Sequence, residues 1–425
     1  MKRYWYLAWV CWLASPLAGA EANALVAGTR SEAGFADGVG PAARLNDPSG
    51  MARDSLGNLY VCDSRNHVIR KIAPGGVVTT IAGKAGEAGA MNGSGLFARF
   101  HFPSDLTMGP NNTIYVADTG NHCIRVISPL GVVTTLAGDP GHADDIDRSF
   151  GATYRSMKIN IDGKGRAARF QNPSGIVYAP AGFLYVSDTG NQLIRKVSLK
   201  GSVSTVAGKA GEWGSIDATG SRARFSSPRG LCIGSDGSLY IADSRNHTIR
   251  RMNSKGQVTT FAGNARESGR RDGLRLDARF CEPTDITPHP LGGFMVCDAF
   301  ANSIHRINQL GMVSDIADAD LGGLSHPSAV VCDASGNVYV ADTFHQEIRL
   351  LIEKFGISIE RLPEGNHLLI RWDSIVGRSY QLQMMSESGW VNAPVAPVRA
   401  TTMTSQITLT SPPDAKQYRV QLLGF

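Results

Sequence analysis

The stretch Asp63-Ser64-Arg65-Asn66-His67-Val68-Ile69-Arg70 has close copies farther along the chain. Each copy keeps an aspartate at its start, a short polar segment, and an apolar run that ends in arginine. The other clear copies are Asp118-Thr119-Gly120-Asn121-His122-Cys123-Ile124-Arg125, Asp188-Thr189-Gly190-Asn191-Gln192-Leu193-Ile194-Arg195 and Asp243-Ser244-Arg245-Asn246-His247-Thr248-Ile249-Arg250. Such regular self-similarity predicts one supersecondary unit that is repeated along the chain.

Six copies of this unit can be aligned. Each opens with a proline, and the prolines are Pro48, Pro103, Pro173, Pro228, Pro283 and Pro327. An aspartate follows 15 residues later in every copy, and these are Asp63, Asp118, Asp188, Asp243, Asp298 and Asp342. The spacing between copies is 55, 70, 55, 55 and 44 residues, so only the connecting segments vary in length.

Each unit reads as four short strands. In the first copy, the runs that begin at Gly50, Asn58, Val68 and Val77 are apolar and β-branched, with Gly, Asp, Asn and Pro between them. Four antiparallel strands per unit, repeated around an axis, are typical of a β-propeller. No repeat carries the 3.6-residue apolar period of a helix, which excludes a helical solenoid.

These segments resemble NHL repeats, and the resemblance covers roughly residues 24–352. The Val-x-Thr-x-Ala-Gly strands that end at Gly83, Gly138, Gly208 and Gly263 match the family as well. Copy five is degenerate, with His305 in the arginine position and Arg306 one place on. Copy six lacks the last strand of the unit. The resemblance implies an all-β, six-bladed propeller that serves as a binding platform.

A substitute for the missing strand lies at the other end of the chain. Ala24-Leu25-Val26-Ala27-Gly28 matches the ending of the lost strand. An open ring would leave two unpaired sheet edges. We therefore predict that this N-terminal strand completes blade six.

The repeated aspartates and arginines are predicted to be scaffold. Blades pack face to face, so a guanidinium between them needs a buried partner, and the repeated aspartate is that partner. A polar pair that recurs around the ring favours an architectural role, because a catalytic site would be asymmetric. The arginines concerned are Arg70, Arg125, Arg195, Arg250 and Arg349.

A second arginine recurs in the segments that connect the blades. It belongs to an Ala-Arg-Phe or Ala-Arg-Leu motif, and its members are Arg44, Arg99, Arg169, Arg224 and Arg279. One interpretation is a packed loop whose Phe fills the gap between blades. The other is a ring of arginines that binds an anionic or peptide ligand.

The residues after each opening proline are predicted to face the axial channel. They are Ser49, Ser104, Asp105, Ser174, Arg229, Thr284, Asp285 and Ser328. Asp105 and Asp285 come from opposite blades and, with His101 and His326, make a weak candidate site for a divalent cation. Such a metal is required by the alternative function, a propeller enzyme of the lactonase or peptidyl-hydroxyglycine lyase type. These residues are not the histidine set that a zinc lyase needs.

The third connection carries an insertion with the acidic segment from His142 to Asp147 and the pair Tyr154-Arg155. A long insertion on a rigid scaffold is a common place for specificity. Its carboxylates suit Ca²⁺, but their spacing matches no calcium loop, which favours a solvated loop.

Both ends of the chain differ from the repeats. Residues 1–20 read as a secretory signal peptide, with cleavage near Ala20, so the protein is predicted to be secreted, periplasmic or at the cell surface. Residues 353–425 alternate like strands of a small β-sandwich and resemble a fibronectin-III-like module. Trp390 in this segment suits either the module's core or sugar stacking. The propeller is expected to span residues 21–352.

Composition limits the function further. The chain has 425 residues, of which 19% are charged and 42% are hydrophobic, and this composition excludes a disordered chain. Its net charge of +5 gives no support to nucleic-acid binding. Six cysteines beyond the signal segment lie mostly in strand-like runs, which favours buried thiols over disulfides. We therefore expect an exported monomeric scaffold without a membrane span, which binds a protein, peptide or carbohydrate ligand.

Overall fold

A computed structural model describes residues 23–140, 160–317 and 323–351, and separate C-terminal stretches between residues 357 and 422. The predicted signal segment and the predicted insertion at residues 142–155 lie outside these described residues. The larger compact unit contains residues 25–333 and 339–350, and the residues from 351 onward belong to a second unit.

The larger unit is a six-bladed propeller of antiparallel sheets, as predicted. The first strand of the chain is β1 (Asn23–Gly28). Blade one contains β2 (Gly38–Val39), β3 (Pro48–Arg53), β4 (Leu59–Asp63), β5 (Val68–Ile72) and β6 (Val77–Gly83). Blade two contains β7 (Gly93–Ser94), β8 (Pro103–Met108), β9 (Ile114–Asp118), β10 (Cys123–Ile127) and β11 (Val132–Ala137). Blade three contains β12 (Gly163–Lys164), β13 (Pro173–Ala179), β14 (Phe183–Asp188), β15 (Leu193–Ser198) and β16 (Ser202–Gly208).

The remaining blades follow the same plan. Blade four contains β17 (Pro228–Ile233), β18 (Leu239–Asp243), β19 (Thr248–Met252) and β20 (Val258–Gly263). Blade five contains β21 (Gly273–Leu274), β22 (Pro283–Pro288), β23 (Phe294–Asp298), β24 (Ser303–Ile307) and β25 (Met312–Ala317). Blade six contains β26 (Pro327–Cys332), β27 (Val338–Asp342) and β28 (Glu347–Leu351).

Short 3-10 turns connect the strands. Those that follow the second full-length strand of a blade are Ser64–Asn66, Thr119–Asn121, Thr189–Asn191, Ser244–Asn246 and Thr343–His345. Those in the connecting segments are Gly40–Ala42, Gly95–Phe97, Gly165–Ala167, Gly220–Arg222 and Arg275–Asp277, and one more at Pro110–Asn112 joins β8 to β9. None of the helical segments in the described residues is long and apolar enough to cross a bilayer.

The N-terminal strand closes the ring, which confirms the prediction. The sheet of blade six has the order β1-β28-β27-β26, so β1 takes the place of the missing outer strand. The innermost strand of each blade contacts the innermost strand of the next, and β26 of blade six contacts β3 of blade one. Ala27 of β1 is fully buried in a cluster that also contains core residues of blades one and six.

Hydroxyl groups hold neighbouring blades together. Thr119 in the turn of blade two donates to the carbonyl oxygen of Pro173 in blade three at 2.7 Å. Thr343 of blade six donates to the carbonyl oxygen of Pro48 in blade one at 2.8 Å, which completes the circle. The turns and the opening prolines therefore lie on one face of the propeller, which we call the turn face.

Apolar side chains fill the space between blades. The phenylalanines of the Ala-Arg-Phe motifs are at most 1% exposed, and they are Phe100, Phe170, Phe225 and Phe280. This burial confirms the packed-loop interpretation for these rings. All six described cysteines are free thiols, and four of them are buried.

The second unit is also all-β. Its strands are β29 (Ile357–Arg361), β30 (His367–Asp373), β31 (Ser379–Ser386), β32 (Gly389–Asn392), β33 (Val398–Arg399), β34 (Thr404–Thr410) and β35 (Tyr418–Leu422). They form one sheet of β29, β30 and β34, and a second in which β31 pairs with β32, β33 and β35. The likeness to a fibronectin-III-like module stays a prediction.

Candidate functional site

The repeated aspartate and arginine form a buried ion pair. In blade one, the Nη1 of Arg70 lies 2.6 Å from the Oδ2 of Asp63, and neither side chain is exposed. The aspartate also accepts the backbone N–H of Asn46 at 2.7 Å. Burial raises the pKa of Asp63 to about 6, although Arg70 acts in the opposite direction. The equivalent pairs are Asp118–Arg125, Asp188–Arg195, Asp243–Arg250 and Asp342–Arg349.

A cradle of oxygen atoms surrounds this guanidinium. Arg70 donates to the carbonyl oxygens of Arg44 at 3.0 Å and Ala36 at 2.7 Å, and its Nη2 lies 2.8 Å from Asp37. A β-bulge immediately before Arg70 turns the side chain toward this cradle. Four oxygen atoms therefore bind this guanidinium, which supports the predicted scaffold role.

The arginines of the connecting segments bind their own loops. Arg99 donates to the carbonyl oxygens of Leu96, Phe97 and Ala98, and its Nη2 lies 2.7 Å from Glu87. The other four make similar contacts, with Arg44 on Glu32, Arg169 on Asp139, Arg224 on Glu212 and Arg279 on Glu267. In four copies the acidic residue stands twelve residues before the arginine. An alignment of the copies with one another could therefore have predicted this ion pair. Ligand binding by this ring stays a prediction.

Asp105 and Asp285 lie near the propeller axis, each bound to the next blade. The carboxylate of Asp105 accepts the N–H of Ile176 at 2.8 Å, and that of Asp285 accepts the N–H of Val330 at 2.9 Å. Asp105 occupies the space that a side chain at Gly50 would need. Burial, and then the charge of Asp285, raises the pKa of Asp105 well above its ordinary value, and burial raises that of Asp285 to about 7. The two carboxyl groups therefore interact across the axis.

The two candidate histidines do not join these aspartates in a metal site. His101 Nδ1 lies 3.2 Å from the carbonyl oxygen of Gly120, and His326 stacks on Phe344. Among the described residues, no three of these four candidate ligands bring donor atoms within 4.8 Å of one another. The geometry thus gives the metal-dependent enzyme no specific support. The repeated His67, His122 and His247 are turn residues with a left-handed backbone.

Arg229 departs from the repeat at the channel entrance. We call the six residues directly after the opening prolines the axial rim, and the other five are Ser49, Ser104, Ser174, Thr284 and Ser328. Arg229 is exposed, yet desolvation lowers its pKa, with Glu282 and Arg245 acting at longer range. Among the described residues, its guanidinium has no hydrogen-bond or ion-pair partner.

Three aromatic rings meet on the turn face. His326 stacks on Phe344 with ring centroids 4.4 Å apart and planes at 11°, and it meets Phe300 edge-on at 5.4 Å. Phe300 is 64% exposed and Phe344 is 56% exposed. Burial, and then the charge of Arg229, lowers the pKa of His326. We call Arg229, Phe300, His326 and Phe344 the rim patch.

Sequence reasoning selected Arg229 and His326 but missed the two phenylalanines. Both occupy a turn position that is Arg65 in blade one and Gly120 in blade two. A column-by-column comparison of the copies would have shown that this position becomes aromatic only in blades five and six.

Comparisons with known proteins agree with the repeat structure. Residues 45–72, 100–127, 170–197 and 225–252 match the family model for the NHL repeat. These are the four copies that resemble the family most clearly, so the propeller carries NHL repeats.

The chain is 33% identical over 424 residues to NHL repeat-containing protein 2 of Bos taurus, which covers 88% of this chain and 56% of that protein. It is 29% identical over 318 residues to protein SUPPRESSOR OF QUENCHING 1, chloroplastic, of Arabidopsis thaliana, covering 71% of this chain and 29% of the relative. The chain therefore spans little more than half the length of the Bos taurus protein and under a third of the length of the Arabidopsis thaliana protein.

A solved structure shares the fold. The crystal structure of an auxiliary nutrient binding protein from Bacteroides thetaiotaomicron aligns with a TM-score of 0.57 at 14% identity, over 78% of this chain and 76% of that one. At this identity the likeness concerns the fold alone.

Proposed function

We propose that this NHL-repeat propeller is an exported recognition scaffold that binds a peptide or saccharide with an acidic group at the rim patch. The observation that carries the proposal is the unpartnered guanidinium of Arg229 at the channel entrance. Export is inferred from the signal-like residues 1–20.

The scaffold does not need this arginine. In blade two the equivalent Ser104 hydroxyl lies 2.5 Å from that of Thr119, within the bonds that join blades. In blade four, Ser244 still donates to the carbonyl oxygen of Pro283 at 2.5 Å without a rim hydroxyl beside it. Arg229 is therefore not needed for the hydrogen bond that joins blades four and five.

The chemistry of the rim patch indicates the ligand class. A guanidinium without a protein partner binds carboxylate, sulfate or phosphate groups through paired N–H donors. Exposed aromatic rings offer flat surfaces to a sugar ring or an apolar side chain. Together they suit a ligand with an acidic group next to a flat or apolar part.

An array of acidic and neutral saccharides and peptides tests the proposal. Wild type is compared with Arg229→Ser, which restores the residue of most other blades, and with Arg222→Ser, which removes an exposed charge from a connecting segment of the same chain. We expect wild type and Arg222→Ser to retain the same acidic ligands and Arg229→Ser to lose them at an unchanged melting temperature. Equal ligand sets for wild type and Arg229→Ser would remove the rim patch from consideration.

A further inference from the structure

Blade five replaces the buried arginine with histidine. His305 pairs with Val296 in the sheet, as Arg70 pairs with Val61 in blade one, so His305 and not Arg306 takes the arginine position. A second change accompanies it, because Asp315 stands where blades one to four have threonine. Those threonines are Thr80, Thr135, Thr205 and Thr260.

In the other blades this cradle binds a cation that is part of the chain. In blade three, Arg195 contacts the carboxylates of Asp188 at 2.6 Å and Asp162 at 2.8 Å. It also donates to the carbonyl oxygens of Arg169 and Ile161, both at 3.0 Å. Four oxygen atoms from three segments therefore converge on one positive charge.

Blade five keeps the acidic part of the cradle and loses the guanidinium. Asp298 and Asp272 hold the two carboxylate positions, and Asp272 still accepts the N–H of Asp315 at 3.1 Å, as its counterparts do in other blades. Asp315 adds a third carboxylate, which accepts the Ser303 hydroxyl at 2.9 Å. The imidazole of His305 is shorter than an arginine side chain, so three carboxylates surround a smaller group.

The imidazole lies between these carboxylates and is fully buried. Its Nε2 is 3.3 Å from the Oδ2 of Asp298, and its Nδ1 approaches Asp315. Within the described residues, that Nδ1 has no hydrogen-bond partner of suitable geometry. Donor atoms of Asp272, His305 and Asp315 all lie within 4.8 Å of one another, the one such group that the described part of the chain contains.

We propose that blade five binds a divalent transition-metal ion, of which Zn²⁺ is the representative, through Nδ1 of His305 and the carboxylates of Asp315 and Asp272. Mixed imidazole and carboxylate ligands suit Zn²⁺ and its neighbours better than Ca²⁺ or Mg²⁺, which prefer oxygen alone. Asp298 would accept the Nε2–H and so direct the Nδ1 lone pair to the metal, as carboxylates behind metal-bound histidines do. Asp272 is exposed, which gives the ion a path from solvent.

The surrounding charges support a cation at this position. The carboxylates of Asp298 and Asp315 both contact the imidazole of His305. Arg270 contacts Asp315 from the solvent side and offsets part of the negative charge. The metal thus takes the role that a guanidinium has in the five other blades.

Titration calorimetry with ZnCl₂ on the chelator-treated full chain, without a polyhistidine tag, tests the site. We expect one saturable ion per chain. The double variant His305→Arg/Asp315→Thr restores the residues of the other blades, so it should fold normally and lose this binding. The variant Asp105→Asn/Asp285→Asn alters the channel and should bind Zn²⁺ as wild type does.

A milder variant keeps the test decisive if the double variant does not fold. Asp272→Asn changes an exposed residue to the one that blade two carries naturally, Asn92. It should weaken Zn²⁺ binding by about tenfold or more. Absence of saturable binding to wild type, or wild-type affinity in Asp272→Asn, would overturn the proposal.

Discussion

The two acids around the buried arginine of blade three should differ sharply in their contribution to stability. Asp188 is fully buried and accepts bonds from Gln171 N–H at 2.7 Å and Asn191 at 2.9 Å besides its pair with Arg195. Asp162 is 51% exposed on the other side of the same guanidinium. We predict that Asp188→Asn is strongly destabilising and that Asp162→Asn is mild.

The magnitudes follow from burial and from blade two. Asp188→Asn leaves a buried guanidinium without its buried counter-charge, and breaking such a pair costs about 3–5 kcal/mol. Asp162→Asn reproduces blade two, where Asn92 Oδ1 already accepts from Arg125 at 3.0 Å and Thr135 at 3.2 Å. Exposed ion pairs contribute about 0–1 kcal/mol, so we expect a loss in that range.

Urea unfolding of the full chain at pH 7 measures both losses of free energy of unfolding. The double variant Asp188→Asn/Arg195→Met should lose less than the sum of its single changes, because it leaves no charge buried alone. Equal losses for Asp162→Asn and Asp188→Asn would refute the assignment of the inner pair as the structural unit of each blade.

Two further predictions concern the core and the axis. Phe170→Ala removes a ring that is 1% exposed and should lower the free energy of unfolding by about 3–5 kcal/mol. Phe97→Ala removes a ring that is 72% exposed and should change the free energy of unfolding by less than about 0.5 kcal/mol. Similar losses for the two variants in urea unfolding would contradict this prediction. Burial raises the pKa of Asp285 to about 7, whereas the same carboxyl in the unfolded chain loses its proton near pH 4, so the contribution of Asp285 to stability should fall between pH 4 and pH 7. Asp285→Asn should therefore gain stability relative to wild type from pH 4.5 to pH 8, and a difference independent of pH would exclude a raised pKa.

The repeat made most of the scaffold predictable. Asp63 and Arg70 recur at constant spacing, and a polar pair between packed blades has few ways to satisfy its charges. The match of Ala24–Gly28 to the internal strands predicted the closure of the ring for the same reason. Because the spacing is constant, residues that contact each other in the folded blade can be recognised as a repeated pattern in the sequence.

Contacts without such spacing were not predictable in this way. Phe300 and His326 meet across a blade boundary, and their contact depends on left-handed turns that place both on the turn face. The alignment of the copies placed His305 in the arginine position, and the pairing of β24 with β23 confirms that His305, not the adjacent Arg306, enters the cradle. The blade-five cluster therefore required the structure, because it combines three residues from separate segments.

Ring closure by the N-terminal strand is the claim on which the turn face and its rim patch depend. Ala27 of β1 is fully buried, and Leu25 in the same strand is 42% exposed. Thermal unfolding of Ala27→Asp and Leu25→Asp compares the same new charge at these two positions. We predict a large fall in melting temperature for Ala27→Asp, because a buried unpaired carboxylate costs several kcal/mol, and almost no change for Leu25→Asp. A melting temperature for Ala27→Asp equal to that of wild type would contradict the closed ring.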